Sequence, residues 1–279
     1  MKKFNKIRLL TDFSEVSENA TEYAVLLAKK MAVEVEIMHI VSTPVDWVKL
    51  DLEREKLYPE AKEKIIKAKN DLNDLISKFK EQNISAKSSL IFNIGVESIS
   101  NYLGEDTDNL LIMGSHGASG IKEYTLGSNA EKIIRKAICP VLVVKNKPQK
   151  QEITSLVFAS TFQEDQLEPF QKVCQFSEEL DLERHLLYIN TPYNFKETQD
   201  IESMLNSFCK EDGNNSCKKH VFNALNEYKG IKDFMQDESI DVFSIATEGR
   251  SSFTQLFLPS LTEKIVNHLD IPVLSIHTV

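Results

Sequence analysis

Four cysteines in 279 residues, none in a CxxC pair, give no disulfide framework to read. Reduced thiols and a cytoplasmic setting are the expectation. No uncharged apolar run approaches the roughly 18 residues that a membrane-spanning helix requires. The basic start Met1-Lys2-Lys3 reaches Thr11-Asp12 too soon for the apolar stretch of a secretory signal. Net positive charge is missing as well: a formal charge of −9 argues against non-specific binding to nucleic acid or to an anionic membrane face. A Gly-x-Ser-x-Gly elbow is absent, and no cysteine stands beside a histidine in a loop, so covalent catalysis has no support. What remains, 42% apolar and 27% charged residues, is the composition of an ordinary globular protein. Its length suits two domains better than one.

Along the chain, short apolar runs alternate with amphipathic stretches. Residues 6–11, 33–41, 85–92, 109–113 and 140–144 read as strands. Residues 17–31, 52–80 (broken or started near Pro59), 96–103 and 128–137 read as helices. Five strands alternating with four helices is the pattern of a parallel sheet covered on both faces, and right-handed crossovers make a doubly wound, flavodoxin-like α/β fold the natural topology. Residues 147–152 read as a linker, after which strands near 156–160, 185–189, 220–222, 242–245 and 272–276 alternate with helices near 168–180, 196–210, 228–235 and 261–269.

The second alternation copies the first. Ser128-Asn129-Ala130-Glu131-Lys132-Ile133-Ile134 leads to Pro140-Val141-Leu142, and Ser260-Leu261-Thr262-Glu263-Lys264-Ile265-Val266 leads over the same length to Pro272-Val273-Leu274. Phe13 matches Phe162. Two five-stranded domains in tandem, residues 1–146 and 153–279, are therefore expected, related by a pseudo-two-fold axis.

The chemistry lies in Met113-Gly114-Ser115-His116-Gly117-Ala118-Ser119-Gly120 and in Gly127-Ser128-Asn129, between an apolar strand and a helix. Ligands of open α/β sheets bind beyond the carboxyl ends of the strands. Glycines there suit positive φ and close approach of a ligand to the amides. The helix that Gly127-Ser128 opens has unpaired N–H groups that favour an anion, with Ser128 as N-cap or phosphate ligand. There is no GK[ST], and the glycines do not follow the first strand, which excludes a Walker loop and a dinucleotide fingerprint.

The spacing Gly114-x2-Gly117-x9-Gly127-Ser128 resembles the ATP-binding signature of the universal stress protein family, and the resemblance covers essentially the whole chain as two family domains. It implies that Asp12 contacts the nucleoside, that Val41 lines the adenine pocket, and that Met113 packs near ribose and base. Gly114, Gly117, Gly127, Ser128 and Asn129 would wrap the phosphates of ATP, with Mg2+ held mainly through phosphate oxygens and water. It also implies that domains pair through their last strands, here 141–144 against 273–276, with a homodimer as a further assembly. Read alone, Asp12 also suits a turn or helix cap, and Val41 and Met113 suit a core.

In the second half Ala246 stands at Gly114, Gly249 at Gly117, Pro259 at Gly127 and Thr161 at Asp12. Proline removes an amide and positive φ, Thr161 removes the acid, and Glu248 would repel phosphate, so no ATP is expected there. Cys209, Cys217 and His220 do not suit a zinc site, since Cys217 and His220, three apart in a strand, point to opposite faces and no fourth ligand is near. The reading is a nucleotide-binding stress-response or regulatory protein in which ATP orders residues 115–126 and alters a surface that a protein partner reads. Its rivals are a slow ATPase or phosphotransferase, with His116 and Lys122 as the only candidate groups, and a nucleotide-free scaffold.

Overall fold

The apolar runs become ten strands of one sheet. In the first half β1 (Lys6–Leu10), β2 (Glu34–Ser42), β3 (Ala86–Asn93), β4 (Asn109–Gly114) and β5 (Val141–Val144) are connected by α1 (Glu15–Met31), α2 (Leu52–Glu55), α3 (Pro59–Glu81) and α4 (Ser128–Lys136). In the second half β6 (Ser155–Ala159), β7 (Glu183–Asn190), β8 (Lys218–Asn223), β9 (Val242–Glu248) and β10 (Val273–Thr278) are connected by α5 (Leu167–Glu179), α6 (Thr198–Glu211), α7 (Glu227–Asp237) and α8 (Pro259–His268). The structure, a computed structural model, describes residues 3–94, 106–116, 126–211, 216–248 and 259–278. The helix read at 96–103 lies outside the described residues.

The sheet order is β3-β2-β1-β4-β5-β10-β9-β6-β7-β8. Each half is parallel throughout and doubly wound, and the halves meet where β5 and β10 run antiparallel, with Leu142 opposite Leu274. Both leucines are fully buried. Side chains cross between the halves on either side of this seam: the Phe4 amide donates to Glu179 Oε1 at 2.6 Å, and Lys145 Nζ donates to the Asn267 carbonyl at 3.1 Å.

The helices take their starts from local chemistry. Ser14 caps α1, its hydroxyl accepting from the Ser17 amide, and Pro59 occupies the first turn of α3, where its missing N–H costs nothing. One face of the sheet is covered by α1, α3, α5 and α6 through a single apolar cluster. The other is covered by α4, α7 and α8. Cys209 and Cys217 pack with the first cluster, whereas the His220 ring lies against Phe234 of the second.

Polar pairing also crosses strands. Glu36 on β2 stands opposite Arg8 on β1, takes a hydrogen bond from Lys6 Nζ at 2.7 Å and another from Ser89 Oγ at 2.8 Å. Burial alone would push this carboxyl up, but the hydrogen bonds from Lys6 and Ser89 and the charges of Lys6 and Arg8 outweigh it and hold the pKa at about 2. Because the folded value lies below the ordinary 4.5, the ionised form stabilises the fold. That contribution is complete above the unfolded value and fades as pH falls toward the folded one. The stability difference between wild type and Glu36→Gln, measured by urea unfolding, is therefore expected to be largest at neutral pH and to shrink as the titration is carried into acid. A difference independent of pH would remove this account.

Candidate functional site

The chain leaves β1, returns outward to β2 and β3, and then crosses to β4 on the other side of β1. That reversal opens a crevice beyond the carboxyl ends of β1 and β4, the place where open α/β sheets bind ligands. The parallel register sets Leu10 beside Met113 and Met38, so the segments that follow all three strands emerge at one end.

After β1 the backbone turns sharply. Phe13 has φ 62°, a left-handed conformation unusual for a bulky residue. It is held by its own amide, which donates to Thr11 Oγ1 at 3.0 Å, and by the His39 ring, whose centroid is 4.5 Å from that of Phe13. His39 Nδ1 also lies 2.8 Å from the Thr11 carbonyl oxygen. Asp12 is exposed at this turn, and its Oδ1 accepts from the Ser14 amide at 3.1 Å and from the Ser14 hydroxyl at 2.6 Å. Asp12 therefore does hold the turn, and through Ser14 it steadies the start of α1.

Across the crevice, β4 ends at Gly114. A Cβ there would lie 2.9 Å from Val16 Cγ1 and 3.3 Å from the Val16 carbonyl carbon, so the missing side chain lets the first turn of α1 approach β4. Ser115 is buried, donates its amide to the Val144 carbonyl at 2.8 Å, and accepts the Gly127 amide on its own carbonyl at 2.9 Å. Its hydroxyl lies 3.0 Å from His116 Nδ1. The two ends of the loop are thus closed on one another, and a Cβ on Gly127 would sit 3.2 Å from the His116 Cα.

Two expectations about this loop need correction. Positive φ is not what either described glycine supplies: Gly127 has φ −62° and ψ 143°, and Gly114 too lies outside the left-handed region. Their role is close approach, while the positive φ falls on Phe13. Ser128 is also not the N-cap of α4. Gly127 holds that position with no side-chain cap, and Ser128 is the first helical residue. The Glu131 amide bonds back to the Gly127 carbonyl, and Gly127, as the N-cap, brings no side chain to the amides before it.

The remaining predicted residues fall into two groups. Asn129 is exposed in the first turn of α4. Met113 is 2% exposed and packs in the cluster beneath α4. Val41 lies at the same end of the sheet, but its side chain is closed into a cluster with Trp47, Ala61 and Ile65, so only its main chain is placed to face a ligand. Gly117 and Lys122 lie outside the described residues. His39 on β2 has a structural role here. It is the residue that fixes the Asp12 turn, and only the pairing of β1 with β2 brings it there.

The second half repeats the turn without its acid. Phe162 has φ 53° and its amide donates to Ser160 Oγ at 3.0 Å, while Thr161 takes the place of Asp12. Ala246 lies in β9, and Pro259 is the first residue of α8, a position that suits proline. Since Gly127 is extended and its amide is engaged by Ser115, the proline there would interrupt loop closure rather than a ring of ligand-facing amides. Gly249 lies outside the described residues.

Comparisons with known proteins match the first half by family and the whole chain by fold. The sequence model of the universal stress protein family matches residues 3–145. A universal stress protein of Methanocaldococcus jannaschii is 30% identical over 156 residues, covering 52% of this chain and 96% of its own. One from Synechocystis is 24% identical over 299 residues, covering 96% of this chain and 98% of its own. The solved structure of a universal stress protein from Archaeoglobus fulgidus superposes over 100% of both chains with a TM-score of 0.73 at 19% identity, which extends the likeness of fold to the tandem arrangement. Among the described residues no helix is long and apolar enough to cross a membrane.

Proposed function

The chain belongs to the universal stress protein family, and from that premise we propose that its first half holds ATP at the crevice between β1 and β4. A general stress-response role goes with the family. The observation that carries the nucleotide reading is the start of α4: a helix whose N-cap is a glycine, with no side chain of its own to offer, held beyond the carboxyl end of β4 by the bond from the Gly127 amide to the Ser115 carbonyl. Uncapped amides and the positive end of the helix favour a phosphate group.

In this reading Asp12 faces the nucleoside, the main chain of Val41 borders the base, and Met113 forms the floor beneath it. Gly114, Gly117, Gly127, Ser128 and Asn129 wrap the phosphates, with Gly114 and Gly127 allowing the close packing that shapes the loop's two ends. Magnesium is held through phosphate oxygens and water. Residues 1–146 and 153–279 act as two domains joined by 147–152, and the second serves as a built-in partner whose site takes no ATP. The nucleotide acts as a ligand: a hundredfold excess over its dissociation constant stabilises the folded state by about 2.7 kcal/mol, enough to bias a surface read by another protein.

Titration calorimetry with ATP and magnesium tests this. Wild type is expected to bind one ATP per chain. Gly127→Pro, which removes the amide bonded to Ser115, is expected to weaken binding at least about tenfold, a loss of about 1.4 kcal/mol. Asp12→Ala should weaken it as well, whereas Thr161→Ala leaves it unchanged. Absence of binding by wild type, or equal loss in Thr161→Ala, would sink the proposal.

A further inference from the structure

The second half keeps a cleft where the first half is read as taking a nucleotide, and its chemistry is different. It lies beyond the carboxyl ends of β6, β7 and β9, and its enclosed space is about 30 Å3, room for one small polar head group, with the rest open to solvent at its mouth. Its walls are Ile189, Ile231, Ile245 and Leu261. Its polar lining includes Ser160, Thr161, Tyr188, Asn194 and Glu227.

These groups are held in place before any ligand arrives. Tyr188 Oη donates to the Asn194 carbonyl at 2.8 Å, the Asn194 amide donates to Thr191 Oγ1 at 3.3 Å, and the Lys196 amide donates to Asn190 Oδ1 at 3.1 Å. The segment between β7 and α6 is therefore tied down on both sides of Asn194. On the opposite wall, Asn226 caps α7 through the Lys229 amide and sets Glu227 in its first turn. Gly230 brings α7 close against β7, since a Cβ there would lie 2.6 Å from Ile189 Cγ2.

Glu227 is the one acid in this lining. Asn194 Nδ2 reaches its Oε1 at 3.5 Å, and among the described residues no basic side chain forms an ion pair with it. Its charge is felt nearby: burial first, and the Glu227 carboxylate second, push the Tyr188 hydroxyl up from its ordinary value. A carboxylate against apolar walls repels phosphate and attracts a cation more strongly than it would in water. Beside the lining residues stand large apolar side chains that the fold leaves in solvent. Tyr193 and Phe195 flank Asn194 and are 75% and 69% exposed, and Leu225, two residues before Glu227, is 77% exposed. All three are sequence neighbours of lining residues, on the two pinned segments, and aromatic faces attract cations.

We propose that this cleft binds a small organic amine: a protonated nitrogen placed at Glu227 and Asn194, carried on an aromatic or apolar body that covers Ile189, Ile231 and the exposed rings. The two halves would then read ligands of opposite charge at corresponding ends of one sheet.

The test uses full-length protein and two probes of similar shape, 2-phenylethylamine as the cation and 3-phenylpropionate as the anion, titrated by calorimetry at pH 7. The amine is expected to bind once per chain and at least tenfold more tightly than the carboxylate. Glu227→Gln, nearly the same shape without the charge, should weaken the amine at least tenfold, and Tyr193→Ala with Phe195→Ala should weaken it severalfold. Urea unfolding of the same variants shows that each is folded, and ATP titrations report on the first half separately. Absence of amine binding, equal binding of the two probes, or an unchanged amine affinity in Glu227→Gln would each overturn the proposal.

Discussion

Phe170→Ala is expected to cost about 3–5 kcal/mol of folding stability, the range for deleting a fully buried phenyl group. Phe170 has no exposed surface. Its ring centroid is 5.7 Å from Phe158 and 5.6 Å from Phe208, and Phe162 closes the circuit, 5.2 Å from Phe208 and 5.8 Å from Phe158. Four rings from β6, the following turn, α5 and α6 therefore support one another, two of the contacts edge to face, a favoured aromatic geometry. Removing Phe170 leaves a hole lined by Phe158 and Phe208. Phe162, held at positive φ beside it, then loses part of what offsets its backbone strain. Against a typical total of 5–15 kcal/mol, the loss would shift the urea midpoint strongly. A loss below about 1 kcal/mol would mean that the rings repack and the circuit is not a unit.

Gly114→Val should damage both fold and site. Its Cβ would meet Val16 Cγ1 at 2.9 Å and main-chain atoms of Val16 and His116 at 3.3 Å, and β-branched Val16 has little rotamer freedom with which to yield. Overpacking of this kind costs about 1–3 kcal/mol. The displaced element is the first turn of α1, directly after the Asp12 turn, so ATP affinity is expected to fall at least about tenfold as well. Urea unfolding reads the first effect and calorimetry the second. The second half shows how a Cβ is accommodated: Ala246 takes the corresponding place, and the turn Glu164–Gln166 is a 3-10 segment with Asp165 where Val16 would be. Gly114→Ala should accordingly be milder. A Val variant with wild-type stability and affinity would show that the helix moves freely against β4.

Much of this was legible in the sequence, and the reasons are physical. Strands buried on both faces appear as unbroken apolar runs, so 109–113 and 141–144 declared themselves, and the copied Ser128 and Ser260 segments revealed the repeat. Groups that depend on distant partners did not. His39 gains its place only from β1–β2 pairing, and Phe158, Phe162, Phe170 and Phe208 follow no helical or strand period. The glycine loop is legible in its spacing, but the packing at its two described ends is not. Close approach of α1 and His116 demands those glycines, a tertiary fact, while the left-handed residue of the site is a phenylalanine held by the Thr11 hydroxyl. The cap of α4 was misplaced by one residue because Gly127 is an acceptable cap and Ser128 looked like a better one.

The antiparallel join of β5 to β10 has a consequence in time. Residues 141–143 meet residues 273–275 across about 130 positions of chain, whereas each half otherwise pairs strands from its own stretch of sequence. At a synthesis rate of 5–20 residues per second, the nascent first half waits on the order of ten seconds for the strand that completes it. Throughout that interval Val141, Leu142 and Val143 form a bare hydrogen-bonding edge on an otherwise folded body. The apolar seam that unites the finished protein is thus also its point of exposure during synthesis, when the same edge of another nascent chain is an equally good match.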